Sequence, residues 1–237
     1  MRVAGRVAAE TMEHLLAAVR PGITTAELDA RADEYIGAAG GRAAFKGYRG
    51  YPASTCISIN EELIHGIPGP RALRGGDIVS VDLGVIMDGF YGDLSRTVTV
   101  GAVPEDIRRM VDAARAAFTA GCAVLKAGVC LGDVSHAIEQ YCRSAGYGVV
   151  RDYVGHGIGR ALHEPPQVPN VGRPGTKPVL PAGVTLAIEP MITLGGDAVR
   201  VLDDQWTVVT ADGQPCAHYE NTVLVTEAGY EILTVAS

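Results

Sequence analysis

Ile78-Val79-Ser80-Val81-Asp82-Leu83-Gly84-Val85-Ile86-Met87-Asp88-Gly89-Phe90-Tyr91-Gly92-Asp93-Leu94-Ser95 is the stretch that decides the fold. Two strand-like runs, Ile78–Val85 and Phe90–Val100, flank Asp88-Gly89, a dipeptide that favours a two-residue hairpin turn. With that turn, Met87 faces Phe90, Asp82 lies opposite Ser95, and Gly84 lies opposite Asp93. Side chains alternate faces along a strand, so Asp82 and Asp93 share a face as a diagonal pair, roughly 7–8 Å apart at the backbone. Ser80 joins them, while Val79, Val81, Leu83 and Val85 point the other way. Two carboxylates on one face of an apolar hairpin repel and desolvate badly unless paired, and a cation between them resolves the conflict. A bulge in either run would shift this register.

Working outward, the chain echoes itself. Val19-Arg20-Pro21-Gly22-Ile23-Thr24 resembles Leu125-Lys126-Ala127-Gly128-Val129-Cys130 at an offset of 106 residues, and each precedes a helical stretch. Leu73–Asp82 resembles Leu180–Glu189 at an offset of 107, each a glycine turn leading into an apolar strand that ends in a carboxylate. Chance similarity of glycine-turn-strand patterns is the plain alternative; the echo otherwise implies two related halves, about 1–101 and 102–237, of a single catalytic domain spanning 1–237. Helices are expected over Val3–Val19, from a Thr24/Glu27 capping box to about Ala39, from Pro104 to near Gly128, and over about Asp133–Ala145. Further strands are expected at Thr55–Ile59, Thr185–Pro190, Trp206–Thr210, Asn221–Val225 and Glu231–Val235, with Asp212-Gly213 as a second hairpin turn. Pro165–Pro181 holds six prolines and is expected to be a loop. The order predicts an α+β fold, helices covering one face of a mainly antiparallel sheet.

Composition narrows the class. The chain has 237 residues, 47% hydrophobic and 20% charged, which is enough for a large core. A formal net charge of −7 argues against a chain-wide grip on nucleic acid, a local basic patch aside. No apolar run reaches the length of a membrane span, and the charges within Met1–Arg20 are wrong for a secretory signal. The five cysteines are scattered without a CxxC, as expected of reduced thiols in the cytoplasm.

Two further acids sit awkwardly: Glu189 ends an apolar run before Pro190, and Glu220 is expected to open the strand at Asn221. A salt bridge or an exposed strand end would explain any one of them. Four such acids with no Lys or Arg run nearby point instead to cations. His156 lies among glycines in Gly155-His156-Gly157-Ile158-Gly159, His163 follows in Leu162-His163-Glu164-Pro165-Pro166, and His65 follows a strand; His14, His136 and His218 receive no role. Asp82, Asp93, His156, Glu189 and Glu220 suit Mn²⁺, Fe²⁺, Co²⁺ or Zn²⁺, and the missing thiolate pairs exclude zinc-finger chemistry. Four carboxylates are more than one ion needs, and bridging carboxylates can hold two ions about 3.5–4 Å apart, an arrangement that activates water near neutral pH.

These segments, with Ser58-Ile59-Asn60-Glu61, His65-Gly66-Ile67-Pro68, Ile188-Glu189-Pro190-Met191 and Tyr219-Glu220-Asn221-Thr222, resemble the type I methionine aminopeptidases across nearly the whole chain. The resemblance implies the pita-bread fold with two pseudo-symmetric halves. It implies that Asp82 chelates one of two divalent ions, that Asp93 and Glu220 bridge both, and that His156 and Glu189 complete the other site. Glu189 would also shuttle a proton, His163 would contact the substrate carbonyl oxygen, and His65 would bind near the scissile amide. Tyr48, Tyr51, Cys56, Tyr153, Leu162, Met191 and Trp206 align with positions lining a methionine pocket, a role that a thioether-sized apolar slot suits.

The chain begins later than typical bacterial members, Arg49 replaces a frequent histidine, and Phe45 replaces a frequent cysteine. The insertion that marks type II enzymes is absent between Gly159 and Glu189. The implied activity is removal of initiator methionine from nascent polypeptides with small second residues, by a monomer that meets the ribosome transiently and has no membrane or specific nucleic-acid partner. Two rivals are a proline-specific peptidase of the same fold and a non-catalytic pita-bread binding protein.

Overall fold

In the computed structural model, which describes residues 1–237, Asp88 and Gly89 take φ values of 51° and 76°. Those left-handed angles are what a type I′ turn requires. The hairpin they close runs without a bulge from Ile78 opposite Thr99 to Met87 opposite Phe90, with Asp82 opposite Ser95 and Gly84 opposite Asp93 as expected. The first strand continues two residues beyond the expected end at Val85.

The helices are α1 (Arg2–Ala18), α2 (Thr25–Ala38), α3 (Glu105–Ala123) and α4 (Leu131–Ser144). The strands are β1 (Arg42–Ala43), β2 (Thr55–Ile59), β3 (Glu62–Ile64), β4 (Ile78–Met87), β5 (Phe90–Thr99), β6 (Gly148–Val149) and β7 (Gly155–Gly157). They continue with β8 (Glu164–Val168), β9 (Thr185–Ile188), β10 (Met191–Thr193), β11 (Val199–Val201), β12 (Val208–Thr210), β13 (Cys216–Val225) and β14 (Tyr230–Ile232). The main sheet has 11 strands, with β1-β4-β5-β13-β9-β7-β8 as its path and β2, β6, β10 and β14 pairing off it, and a small sheet orders β11-β12-β3. Neighbouring strands are antiparallel throughout, as expected of an α+β fold built on a mainly antiparallel sheet.

Helices cover one face. Val79, Val81, Leu83 and Val85 pack with Val7, Met12, Leu15 and Leu28 of α1 and α2. A second core joins Met110, Phe118, Leu131 and Ile138 of α3 and α4 to Leu186, Ile188, Ala217 and Val223 of the sheet. The alternation read from the sequence therefore holds: the valines of β4 meet the helices, and Asp82 and Asp93 face away from them.

Backbone bonds repeat along with the echo in the sequence. Gly22 N–H donates to Leu73 O and Leu73 N–H to Ile23 O; Gly128 N–H donates to Leu180 O and Leu180 N–H to Val129 O. Isolated bridges join Thr24 to Ala72 and Cys130 to Val179. Thr24 and Glu27 form the expected capping box at α2, and the Asp133 carboxylate accepts from the Cys130 N–H at the head of α4.

Several expected boundaries change. Pro104 is the N-cap of α3 rather than its first helical residue, and the helix stops at Ala123. Asp212-Gly213 does not close a hairpin, because β12 pairs with β11 and β3 while β13 pairs within the main sheet. Glu220 lies inside β13 rather than opening it. The proline-rich segment begins with a strand, β8, at the sheet edge, where residues without an N–H are tolerated.

Candidate metal centre

The site is assembled by strands from distant parts of the chain. Asp82 and Asp93 come from β4 and β5. Glu220 comes from β13, which pairs directly with β5 and sets Glu220 opposite Ser95. His156 sits in the middle of β7, opposite Ala187 of β9. Its flanking glycines serve close packing: a Cβ on Gly155 would strike the Ala187 carbonyl oxygen, and one on Gly157 would strike that of Pro165. Ile188 pairs with Asn221 and Met191 with His218, so Glu189-Pro190 lies across from Tyr219-Glu220 in a break between β9 and β10.

These side chains converge. Ligand atoms of Asp93, His156 and Glu220 all lie within 4.8 Å of one another. Asp82 and Glu189 line the same cavity, and His156 Nε2 is 3.7 Å from Glu189 Oε1. Asp82, Asp93, His156 and Glu220 are 9%, 4%, 7% and 3% exposed, far below what isolated charges tolerate. No Lys or Arg pairs with the four acids. The nearby Arg96 guanidinium donates instead to the carbonyls of Ser95 and Glu220 and to Asn221 Oδ1. Asp82 Oδ1, Asp93 Oδ1 and Glu220 Oε1 are left buried without a hydrogen-bond partner. His156 Nδ1 lies 2.9 Å from the Gly157 carbonyl oxygen; donating there, the ring turns its Nε2 lone pair to the acids. A group of oxygens short of positive charge, with one such imidazole, fits divalent cations.

Protonation equilibria report the same deficit. Burial raises the Asp93 carboxyl to about 7 and Glu189 to about 8, with repulsion from Asp93 adding at Glu189. Burial, then Asp93 and Glu189, holds Asp82 and Glu220 well above the usual carboxylate range. Burial, followed by the neighbouring His163, lowers both His156 and His65 to about 4. His163 is also lowered, by burial first and Arg49 second.

Above the acids opens a cavity of about 160 Å³. Tyr48, Tyr51, Cys56, His65, Leu162, His163 and Trp206 line it, as do Phe45 and Arg49. Tyr153 and Met191 do not: Tyr153 meets the His65 ring edge-on at 5.9 Å, and Met191 is fully buried against Leu63, Ile64 and Val150. Tyr51 and Trp206 meet edge to face at 5.0 Å. Burial, then Asp82, pushes the Cys56 thiol well up, so it presents neutral sulfur to the slot. Tyr48 Oη lies 2.9 Å from His163 Nδ1. Arg49, in the left-handed region at φ 51°, sits over the Tyr48 ring at 5.3 Å.

The model of metallopeptidase family M24 matches residues 1–227. A methionine aminopeptidase of Clostridium perfringens is 51% identical over 99% of this chain and 94% of its own. The chain belongs to the methionine aminopeptidases of family M24. As a methionine aminopeptidase it is a divalent-metal exopeptidase that acts on peptides. The crystal structure of the Thermotoga maritima methionine aminopeptidase matches with a TM-score of 0.98 and 45% identity, covering 99% of this chain and 95% of that one. A prolidase from Pyrococcus furiosus shares the fold alone, with a TM-score of 0.81 at 22% identity over 100% of this chain and 63% of its own.

Sequence reasoning missed His218. Its Nε2 lies 3.7 Å from Glu189 Oε2 and 3.9 Å from Glu220 Oε2. Its signal was present in the numbering: extending the strand expected at Asn221 toward Cys216 would have brought His218 beside the acids.

Proposed function

We propose that the enzyme removes methionine from the N-termini of newly made polypeptides whose second residue is small, using two divalent ions. Asp82, Asp93 and Glu220 would hold one ion, and Asp93, Glu220, His156 and Glu189 the other. Three buried carboxylates and a fourth, Glu189, with 12% of its side chain exposed, all without a cationic partner, on the floor of a sulfur- and aromatic-lined cavity, carry this reading. Bound cations supply Lewis-acid polarisation of the substrate carbonyl and activation of water near neutral pH.

The chain's own residues do the rest. Tyr51, Cys56, Leu162 and Trp206 receive the thioether side chain and exclude water. Glu189 takes a proton from the attacking water at a carboxylate oxygen and returns it to the departing amine as the C–N bond breaks. With the Tyr48 hydroxyl donating to His163 Nδ1, neutral His163 carries its proton on Nε2 and donates it to the carbonyl oxygen as negative charge develops. His65 stands beside the scissile amide, held edge-on by Tyr153 and Trp206.

The catalytic domain spans 1–237, with halves 1–101 and 102–237; the repeated loop bonds support this division. The cysteines are all unpaired, which suits a reducing compartment, and no helix is long and apolar enough to cross a membrane. We place the enzyme in the cytoplasm on the thiols.

Metal-stripped protein reloaded with Mn²⁺ or Co²⁺ and offered Met-Ala-Ser, Met-Lys-Ser and Ala-Pro-Ala tests the proposal. Methionine release from the first peptide alone is expected. Cleavage of Ala-Pro-Ala alone would move the assignment to a proline-specific enzyme, and no turnover of any peptide would leave a binding protein.

A further inference from the structure

His218 is 2% exposed, and neither ring nitrogen has a hydrogen-bond partner. An imidazole always carries at least one N–H, so leaving both nitrogens unpaired in the interior is costly. The backbone that carries the ring is nonetheless firmly placed. The His218 backbone N–H donates to Thr97 Oγ1 at 2.8 Å, and the Thr97 hydroxyl lies 2.9 Å from the His218 carbonyl oxygen and 2.7 Å from Ser80 Oγ. Nε2 points at two acids from different segments, 3.7 Å from Glu189 Oε2 and 3.9 Å from Glu220 Oε2. Glu189 thus lies between two imidazoles, with His156 facing Oε1 and His218 facing Oε2.

The internal repeat points to the same ring. In the first hairpin Gly84, two residues after Asp82, pairs with Asp93. In the second sheet unit Met191, two residues after Glu189, pairs with His218. His218 occupies the register position that Asp93 occupies in the first half.

We propose that His218 is a positioning residue of the metal centre, its Nε2–H donating to the facing carboxylate oxygens of Glu189 and Glu220 and so fixing the orientation in which both acids meet cations. Both gaps exceed hydrogen-bond length by less than an ångström, a distance that rotation of either carboxylate covers. Partners of this kind, one layer behind the ligands, hold them in their binding geometry. The inference rests on the ligand set proposed above.

The test is Co²⁺ titration of the metal-stripped full chain, following the visible absorption of the bound ion and the thermal midpoint of the metal-free form. His218→Gln places an amide N–H where Nε2 stood; His218→Asn places one too close to the backbone to reach the acids; His218→Leu removes it. Gln is expected to keep the wild-type affinity within about threefold, while Asn and Leu lose roughly 10–100-fold. All three should give the wild-type spectrum at saturation. Asn binding as tightly as Gln would overturn the proposal even if the Leu variant failed to fold. A saturated Gln spectrum that has lost a nitrogen ligand would overturn it too, making His218 a direct ligand. Wild-type protein that binds no Co²⁺ would overturn the metal centre itself, an outcome separate from a His218 variant that merely matches wild type.

Discussion

The two sheet units that face the cavity share a register and differ in how they present their acids. β4 and β5 form an unbroken ladder in which Asp82 and Asp93 are a diagonal pair. Against β13 the ladder is interrupted: β9 ends at Ile188, β10 starts at Met191, and Glu189-Pro190 lies between them. Proline has no N–H to donate, so the pairing breaks there, and Glu189 is released from the alternation that fixes a strand side chain. The first unit supplies two acids held by an unbroken ladder. The second supplies Glu220 from within a continuous strand, Glu189 from the break, and an imidazole where the first has Asp93. One backbone pattern, used twice, fixes the acids of an intact ladder and frees Glu189 in a broken one, as their proposed roles of ligand and proton carrier require.

The largest expected effect breaks the rigid unit. Asp93→Asn keeps the volume and removes the charge; turnover should fall by on the order of a thousandfold, ~4 kcal/mol, with an unchanged far-UV circular dichroism spectrum. Near-normal turnover would refute a bridging role. Ser95 sharpens the contrast, because it stands in the first unit where Glu220 stands in the second, yet its hydroxyl only returns to the Val81 carbonyl at 3.2 Å. Ser95→Ala should leave turnover within about twofold and cost ~1 kcal/mol in denaturant unfolding.

Next comes the pH dependence of the metal-free protein. With His65 and His156 lowered to about 4 and His218 to about 3, these rings are neutral in both folded and unfolded states only above roughly pH 7.5, a unit beyond the free imidazole value. The acids are ionised when unfolded, whereas Asp93 and Glu189 hold protons in the fold up to about 7 and about 8. Above roughly pH 7.5 the folded state therefore binds more protons, and stability falls as pH rises from there through about 8. Thermal midpoints in chelator should show this decline, and saturating Mn²⁺ should abolish it. A flat or rising midpoint in chelator would contradict the deficit of positive charge among the acids.

The smallest effects compare the two repeated helix starts. Thr24→Ala should cost ~1 kcal/mol, because its hydroxyl accepts from the Glu27 N–H. Cys130 stands at the equivalent start with a thiol, a poor acceptor, and Cys130→Ser should gain a few tenths of a kcal/mol. Equal responses at the two caps would remove this asymmetry.

The hairpin was legible because Asp88-Gly89 names its own turn and β4 alternates over its full length. The four acids of the proposed ligand set were legible because a buried-strand pattern leaves few reasons for Asp82, Asp93, Glu189 and Glu220. Short strands were not. Gly155-His156-Gly157 and Glu164-Pro165-Pro166 carry loop residues and become β7 and β8 only through packing on β9 and at the sheet edge. The Asp212-Gly213 turn misled, since its flanking strands join different sheets. The start of β13 was missed because Cys216-Ala217-His218-Tyr219 lacks the β-branched run that marks Thr222–Val225, and with it went His218.

Anomalous diffraction from crystals of the Mn²⁺-loaded enzyme tests the central claim most directly. Two peaks about 3.5–4 Å apart, enclosed by Asp82, Asp93, His156, Glu189 and Glu220, are predicted. Manganese bound elsewhere, with those five side chains contacting none, would contradict it.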